Sequence, residues 1–284
     1  MTAESQVIPS AQAVAAPGLA GTSAAVTGAG RGIGRAIAML LARSGVNVLV
    51  SDLDGDSADR VCDEIRALGV ESVAVRADVR EADDNARIVQ AAAHAFGRLD
   101  LMVCNAGIVH VKPMLELSAD EWDGIFAVNT RGVFLGIQAA SRQMRTQPAI
   151  ADGRPRGKIV ATASIAGRAA TGPLATMLGS YRATKAAVIS TVQSSAWALS
   201  PDVTVNAVCP GIVDTDMWDE IDRRWCEITG AQPGSAKESR AAAIPMRRVQ
   251  HPDDVANVVG FLASPAADYV TGQSVHIDGG IVMS

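Results

Sequence analysis

Tyr181 and Lys185 are the residues of this 284-residue chain whose types and spacing most directly suggest chemistry. Residues four positions apart share one face of a helix, and the helix-compatible run at 186–192 indicates a helical segment. A free phenol has a pKa near ~10, too high for efficient proton transfer at neutral pH. A neighbouring cation stabilises the phenolate and lowers that pKa, so the pair is suited to act as a general acid and base. By itself, the pair is equally typical of a half-buried ring beside a solvated charge.

A glycine-rich turn occupies residues 28–34, directly after the short apolar stretch 23–27. Beyond the turn, apolar residues recur at helical spacing. The pattern predicts a strand, a tight turn and a helix whose N-terminus can hold a pyrophosphate. A glycine cluster alone more often marks an ordinary loop, but its position between a strand and a helix indicates a dinucleotide site.

Asp52 lies at the end of the second predicted strand. A carboxylate about 20 positions beyond the glycines can accept hydrogen bonds from the adenosine ribose hydroxyls. It would repel a 2′-phosphate, and Leu53 offers no cation to receive one, so the sequence favours NAD over NADP. Asp52 could instead cap the next helix, although Asp54 and Asp56 are available for capping. Arg31 keeps NADP open, because a guanidinium in the glycine turn could reach such a phosphate.

Predicted strands and helices alternate along the whole chain. The predicted strands are 23–27, 46–50, 72–76, 99–104, 158–163, 203–208 and 274–277. This alternation predicts right-handed crossovers and a parallel sheet covered by helices on both faces. Ligands bind beyond the carboxyl ends of the strands in such sheets, where the residues named above are expected to lie. We therefore expect an α/β fold over residues 21–284, whose length allows one large domain or two small ones.

Composition and charge exclude several classes of protein. Hydrophobic residues make up 48% of the chain, enough for a large core, and no apolar stretch is long enough to span a bilayer. A net charge of −5, with no basic cluster, argues against nucleic acid and membrane partners. The four cysteines have no metal-binding or redox spacing, so we expect no metal and a reducing cytoplasm. Residues 1–20 match no targeting signal, and we interpret them as a flexible tail or an arm that packs on a neighbouring subunit.

Residues 212–250 contain a helical pattern of large apolar side chains followed by a Gly-, Pro- and Ser-rich stretch. A helix with mobile flanks beside the cofactor end of a sheet is suited to be a substrate lid. An ordinary amphipathic surface helix would give the same pattern, so both interpretations stay open.

From about Gly21 to its C-terminus, the chain resembles the classical short-chain dehydrogenase/reductases. The motifs that carry the resemblance are Thr27-Gly28-Ala29-Gly30-Arg31-Gly32-Ile33-Gly34, Asp78-Val79, Asn105-Ala106-Gly107, Asn129, Ser164, Tyr181-x-x-x-Lys185 and Pro210-Gly211. Each motif is weak singly, but the set in this order is specific. The resemblance implies a single doubly wound Rossmann domain with a seven-stranded parallel sheet, a nicotinamide cofactor and, in most relatives, a homotetramer.

The resemblance also implies roles for individual residues. Tyr181 would be the catalytic acid and base, and Ser164 would hydrogen-bond the substrate oxygen. Lys185 would lower the pKa of the tyrosine and hold the nicotinamide ribose, while Asn129 would anchor a water that relays protons to that lysine. The implied cofactor-binding residues are Gly28, Arg31, Gly32, Ile33, Gly34, Asp52, Asp78, Val79, Asn105, Gly107, Tyr181, Lys185, Pro210, Ile212 and Thr215.

The substrate is less clearly indicated. Residues 209–222 resemble the acetoin/butanediol and polyol dehydrogenases, yet Ile165 stands where those relatives often carry a polar residue. The sequence departs from the family by a longer connection from Ser164 to Tyr181, around residues 175–179, and by Cys104 in place of a frequent Asn. The candidate pocket residues are Val109, Ile165, Met177, Met217 and Trp218.

These observations favour an NAD-dependent oxidoreductase that interconverts a ketone of modest polarity and its secondary alcohol. The first alternative is a polyol, sugar-alcohol or butanediol dehydrogenase. A catalytically silent, dinucleotide-binding redox sensor belongs to another class, as does a scaffold protein. The full set of Asn129, Ser164, Tyr181 and Lys185 argues against the sensor, which needs no proton-transfer groups. The cofactor motifs argue against the scaffold.

Overall fold

A computed structural model describes residues 13–149, 153–170 and 172–283, without the side chains of 238–240. Seven parallel strands form one sheet with the order β3-β2-β1-β4-β5-β6-β7. The strands are β1 (Ser23–Thr27), β2 (Asn47–Asp52), β3 (Ser72–Arg76), β4 (Leu101–Cys104), β5 (Gly157–Thr162), β6 (Val203–Pro210) and β7 (Ser274–Ile277). The predicted seven-stranded parallel sheet is therefore confirmed.

Nine α-helices connect or flank the strands in the described part of the chain. They are α1 (Gly32–Arg43), α2 (Gly55–Arg66), α3 (Ala82–Phe96), α4 (Ala119–Phe126), α5 (Gly132–Thr146), α6 (Gly179–Leu199), α7 (Asp216–Thr229), α8 (Ser235–Ala242) and α9 (Pro252–Ala263). Within the described ranges, no helix is long and apolar enough to cross a membrane.

The two faces of the sheet are buried in separate cores. Successive side chains of a strand point to opposite faces, so Ala24 and Val26 pack with α1, α2 and α9, whereas Ala25 packs with α3, α5 and α6. The inner strands are buried along their whole length and rich in small and β-branched residues, as expected of strands covered on both faces. Helices on both faces, which the alternation of elements predicts, are confirmed.

The glycine-rich turn between β1 and α1 requires glycine for two different reasons. Gly28 adopts a φ of +62°, which L side chains rarely adopt. At Gly34 the reason is space, because an added Cβ would lie 2.1 Å from the carbonyl oxygen of Gly28. The chain can therefore turn tightly here only with these residues.

Helix α4 begins with a capping box at Ser118. The Ser118 hydroxyl accepts a hydrogen bond from the Glu121 backbone N–H at 3.2 Å, and the Glu121 carboxylate accepts one from the Ser118 N–H at 2.8 Å. A π-helical turn, Ala127–Arg131, then separates α4 from α5 and contains the buried Asn129. Such turns insert an extra residue into a helix and frequently occur at functional sites.

The packed domain begins before residue 21, so the structure differs from the tail predicted over residues 1–20. Leu19 is 5% exposed within the core, and Ala16 packs beside α1 and α9. The Ala16 N–H donates to the Ser44 hydroxyl at 2.9 Å, and the Val14 N–H donates to the Asn257 side-chain oxygen at 2.9 Å. Apolar contacts along α1 and α9 hold this segment, and residues 1–12 lie outside the described ranges.

We expect Gly34→Ala to lower the free energy of unfolding by about 1–3 kcal/mol, because its methyl group would overlap the Gly28 carbonyl oxygen. Gly124→Ala is the matched control, since a Cβ there meets nothing within 4 Å and the position lies inside α4. Alanine should stabilise that helix by up to about 1 kcal/mol. Urea denaturation of both variants checks this, and equal effects would contradict the steric argument.

Candidate active site

Tyr181 and Lys185 lie on the first turns of α6, beside the carboxyl end of β5. The buried Lys185 donates a hydrogen bond from Nζ to the Thr162 carbonyl oxygen at 2.7 Å. Its Nζ lies 5.7 Å from the centroid of the Tyr181 ring. The predicted helical pairing of phenol and ammonium is therefore present, and the lysine anchors the helix to the sheet.

The pKa of the Tyr181 phenol is raised above its ordinary value of 10.0, mainly because the group is buried. A hydrogen bond with the Ser164 hydroxyl acts in the opposite direction. Burial also lowers the pKa of Lys185 to about 8. The pKa of Tyr181 is therefore raised by desolvation rather than lowered as the sequence predicts, and the role of Lys185 in lowering it stays a prediction.

Asn129 lies in the π-helical turn on the other side of the lysine. Its side-chain oxygen accepts a hydrogen bond from the Ile108 N–H at 2.8 Å. Its amide nitrogen donates to the Ile108 carbonyl at 2.9 Å and to the Thr184 hydroxyl at 3.1 Å. A Cβ on Gly107 would lie 3.2 Å from the Asn129 oxygen and 3.5 Å from Lys185 Nζ. Asn129 and Lys185 thus flank the same glycine.

Ser164 follows β5 and caps a short 3₁₀ turn, Ile165–Gly167. Its hydroxyl accepts a hydrogen bond from the Ala166 N–H at 3.1 Å and faces the same cavity as Tyr181. The fold thus brings together four polar residues that are separated by up to 56 positions in the chain: Asn129, Ser164, Tyr181 and Lys185.

Asn105 connects the ends of three neighbouring strands next to the glycine-rich turn. Its amide nitrogen donates to the carbonyl oxygens of Thr27 and Gly28, both at 3.1 Å. Its side-chain oxygen accepts from the Thr162 hydroxyl at 3.2 Å. A Cβ on Gly34 would lie 2.6 Å from this amide nitrogen. Asn105 therefore holds the turn against the sheet, and the glycines leave the backbone of the turn uncovered by side chains. A pyrophosphate site requires such an uncovered backbone.

Asp52 lies beside the turn at the end of β2. One carboxylate oxygen accepts a hydrogen bond from the Gly30 N–H at 2.9 Å, and the other accepts from the Asp54 N–H at 3.1 Å. Asp54, not Asp52, occupies the N-cap position of α2, and its carboxylate accepts a hydrogen bond from the Ser57 hydroxyl. The carboxylate of Asp52 thus stands at the edge of the cofactor cleft, where the adenosine ribose is expected.

The remaining predicted cofactor residues lie at or just beyond the carboxyl ends of β3 and β6, and their role in cofactor binding stays a prediction. Asp78 pairs with Arg80, whose guanidinium holds the pKa of that carboxyl below its usual range. Val79 packs against α5, since a Cβ on Gly132 would lie 2.9 Å from a Val79 methyl group. Pro210 ends β6, and Ile212 follows as a buried residue.

Arg31 and Thr215 bring the glycine-rich turn close to the segment after β6. A Cβ on Gly32 would lie 3.6 Å from a methyl group of Thr215. Arg31 makes a surface ion pair of 3.4 Å with Asp216, and their side chains are 80% and 76% exposed. Ile33 is partly buried at the start of α1 and packs against the core. The guanidinium of Arg31 is therefore turned toward α7 rather than toward Asp52.

A largely apolar cavity opens in front of Tyr181 and Ser164, with about 760 Å³ of space including its mouth. The side chains that line it come from five separate parts of the chain. They are Ser164, Ile165, Ala166, Ala169, Leu174, Ala175, Leu178, Tyr181, Arg182, Gly211, Ile212, Met217, Trp218, Ile221, Ala243, Ile281 and Val282. A concave, mostly apolar site with a few convergent polar groups suits a small-molecule ligand.

Three of the five predicted pocket residues, Ile165, Met217 and Trp218, line this cavity. Val109 and Met177 instead pack around the adjoining apolar cluster. Met217, Trp218 and Ile221 of α7 line the cavity, and the lid role of the helix predicted within residues 212–250 stays a prediction. Cys104 is buried below α5, where burial raises its pKa to about 12.

Sequence reasoning missed several lining residues. Leu174 and Leu178 belong to the lengthened connection, and Ile281 and Val282 follow β7 near the C-terminus. The presence of two leucines in the lengthened connection from Ser164 to Tyr181 was one available signal for the first pair. Arg182 was also missed, although its position beside Tyr181 on α6 pointed to the cavity.

Comparisons with known proteins agree with this geometry. A family profile described as enoyl-(acyl carrier protein) reductase matches residues 28–282. A diacetyl reductase that forms (S)-acetoin, from Staphylococcus epidermidis, is 39% identical over 92% of this chain and 98% of its own length. A 3-oxoacyl-acyl-carrier-protein reductase from Staphylococcus aureus is also 39% identical, over the same shares of the two chains.

Solved structures with the same fold include a short-chain type dehydrogenase/reductase from Mycobacterium marinum. Its TM-score is 0.84 and its sequence identity is 32%, and the match covers 94% of this chain and 98% of that chain. A Burkholderia cenocepacia short-chain dehydrogenase in complex with NADP has a TM-score of 0.80 and 32% identity, covering 93% and 98% of the two chains. A 7α-hydroxysteroid dehydrogenase complexed with NADH and a 7-oxo bile acid has a TM-score of 0.81 and 30% identity, covering 94% and 96%. The chain therefore belongs to the short-chain dehydrogenase/reductase family.

Proposed function

We propose that this protein is an NAD(H)-dependent oxidoreductase that interconverts a secondary alcohol and a ketone, with Tyr181 as the acid and base. One observation carries the proposal. The phenol of Tyr181 and the hydroxyl of Ser164 open into the same apolar cavity, while Lys185 and Asn129 stand behind them. A carbonyl oxygen placed in this cavity can receive hydrogen bonds from both hydroxyl groups.

The cofactor cleft fits a nicotinamide dinucleotide, which supplies or accepts the hydride when bound. The bare backbone at Gly28, Gly32 and Gly34 provides room for the pyrophosphate. Asn105 and Gly107 line the cleft on the nicotinamide side, where the ammonium of Lys185 is expected to hold the ribose. Ser164 orients the substrate oxygen, and Tyr181 transfers the proton.

Protonation favours Tyr181 as a proton donor at neutral pH. The raised pKa of Tyr181 keeps its phenol protonated at neutral pH. The pKa of Lys185 is about 8, so its ammonium is mostly charged at neutral pH. During ketone reduction, the phenol donates its proton to the substrate oxygen as carbon receives the hydride. During alcohol oxidation, the phenolate accepts the proton, and we expect the activity in that direction to increase with pH.

Asp52 supports NAD rather than NADP, because its carboxylate lies where a 2′-phosphate would be repelled. Arg31, the residue that could favour NADP, is paired with Asp216 on the opposite side of the turn. The related structures include one with NADP and one with NADH, so the family accommodates both cofactors.

The cavity supports a ketone of modest polarity. Ile165, Met217 and Trp218 present apolar surface where the hydroxyls of a polyol would need hydrogen-bonding partners. A butanediol, or the acetoin formed by the diacetyl reductase relative, needs fewer such partners than a sugar alcohol. A sugar alcohol is therefore less favoured.

We also propose that the protein forms a homotetramer and is located in the cytoplasm. Large side chains exposed on three helices suit a subunit interface: Phe134 on α5 is 48% exposed, Trp197 on α6 88% and Phe261 on α9 48%. All four cysteines are free, and three are buried, which suits a reducing compartment.

Replacement of Tyr181 by Phe should lower kcat by about 100-fold or more, because it removes the proton donor and leaves the ring in place. Binding of NADH, measured by fluorescence titration, should stay close to that of the wild type. Tyr269→Phe is the matched control, since the only other tyrosine of the chain is fully exposed, and it should retain wild-type turnover. Undiminished function in Tyr181→Phe would support a redox sensor, and absence of cofactor binding in the wild type would indicate a scaffold.

Replacement of Asp52 by Asn should reduce the preference for NAD⁺ over NADP⁺ by about 10-fold or more, because the repulsive charge is lost. The ratio of kcat/KM for the two cofactors measures this preference. Asp56→Asn removes an exposed carboxylate nearby on α2 and should leave the ratio unchanged. A wild type that prefers NADP⁺ would overturn the assignment of NAD and direct attention to Arg31.

Lys185→Met should alter how stability depends on pH. The folded-state pKa of Lys185 is about 8, below its ordinary value of 10.5, so the unfolded chain binds more protons between these values. The wild type therefore gains about 3 kcal/mol across this window as pH rises, a gain that the methionine variant lacks. Denaturant titrations at pH 7 and above pH 10.5 measure both chains, and a constant difference between them would refute the assignment.

A further inference from the structure

Arg182 is a cation in the wall of an otherwise apolar cavity. It follows Tyr181 directly on α6, and both side chains line the same space. One guanidinium nitrogen, Nη1, donates a hydrogen bond to the Ala169 carbonyl oxygen at 2.6 Å. A guanidinium has five N–H groups, so this contact uses only part of its hydrogen-bonding capacity.

Arg182 differs from the other partly buried arginines in having no acidic partner within the described residues. Arg98 pairs with Asp100, Arg154 with Asp268, and Arg248 with Asp254, at 2.6 Å in each case. The side chains of those three arginines are 26–28% exposed, and each charge is compensated by a carboxylate.

The free-energy cost of removing the Arg182 guanidinium from water is therefore not offset by an ion pair with any described residue. Burial lowers the pKa of its guanidinium below the usual value, and among the described residues no carboxylate counteracts this effect. Taking a charge out of water is unfavourable unless the charge is paired. An anion bound in the cavity would therefore be stabilised by Arg182.

The rest of the cavity indicates what kind of anion would enter. Among its described lining residues, Arg182 is the single charged side chain, and none is acidic. Leu174, Leu178, Met217 and Ile221 offer hydrocarbon surface. The hydroxyls of Ser164 and Tyr181 provide the second polar point. The cavity thus combines a reaction centre, an apolar wall and a separate cationic group.

We propose that Arg182 binds the carboxylate of an oxo or hydroxy carboxylic acid whose hydrocarbon portion fills the cavity. This inference rests on the proposed alcohol–ketone activity and narrows its substrate class. A guanidinium binds a carboxylate through two parallel N–H···O hydrogen bonds, so Arg182 would select acids over neutral ketones and fix which carbon faces Tyr181.

The competing role for Arg182 is purely structural. Its hydrogen bond to Ala169 ties α6 to the lengthened connection that covers the cavity, and loss of that bond alone could disturb catalysis. A structural role would affect acidic and neutral substrates equally, whereas an anion site would not. Matched substrates therefore separate the two roles.

The test compares straight-chain oxo carboxylic acids of increasing length with the methyl ester of each, using wild type, Arg182→Lys and Arg182→Gln. Glutamine can still donate to the Ala169 carbonyl but carries no charge. Arg182→Gln should lower kcat/KM for the preferred acid by about 10- to 100-fold and change that for the ester less than about threefold. Arg182→Lys should restore part of the activity on the acid. For the wild type, KM for the acid should rise with ionic strength, and this rise should be absent in Arg182→Gln.

Equal losses on acid and ester, or a wild type that does not distinguish the two, would overturn the anion site. Calorimetric titration of the acid and its ester into cofactor-loaded protein provides a second measurement that does not need turnover. Tighter binding of the acid by wild type than by Arg182→Gln would support the anion site even if no substrate is converted. In that case the proposed activity would fail while the role of Arg182 would stand. Equal binding of the acid by the two proteins would remove the role of Arg182, whether or not a substrate is converted.

Discussion

The hydrogen bond from Lys185 to the carbonyl oxygen of Thr162 is the contact on which the site depends. It fixes the start of α6 against the end of β5, and the hydroxyl of Thr162 in turn binds Asn105. Asn105 holds the carbonyl groups of Thr27 and Gly28 at the glycine-rich turn. A continuous set of polar contacts thus joins the start of α6 to the glycine-rich turn across three strands, so these two parts of the fold are positioned as one unit.

Burial of Lys185 illustrates how such a site opposes stability. The ammonium is almost fully buried, and its pKa of about 8 shows that the charged form is disfavoured relative to water. Two large apolar cores, one on each face of the sheet, stabilise the fold around it. A protein selected for stability alone would place an apolar side chain there, so retention of the lysine is best explained by the chemistry of the site.

The substrate cavity is assembled differently from the cofactor cleft. The cleft is built by backbone and short polar side chains at strand ends, whereas the cavity is built by side chains of a loop, of α7 and of the segment after β7. These outer parts are where family members can vary without disturbing the sheet. Relatives described as diacetyl reductase and 3-oxoacyl reductase at the same identity are consistent with this division.

The sequence by itself determined the elements and the polar residues of the site, because both depend on local patterns. Alternating strand and helix signals, the glycines of residues 28–34 and the spacing of Tyr181 and Lys185 are all readable over short windows. Only the tertiary structure decided which side chains line the cavity together, such as Leu174 and Ile281. It alone also decided which charged side chains lack an acidic partner among the described residues, such as Arg182. It also decided the direction of the Tyr181 pKa, because desolvation depends on the packing of the whole chain around a group.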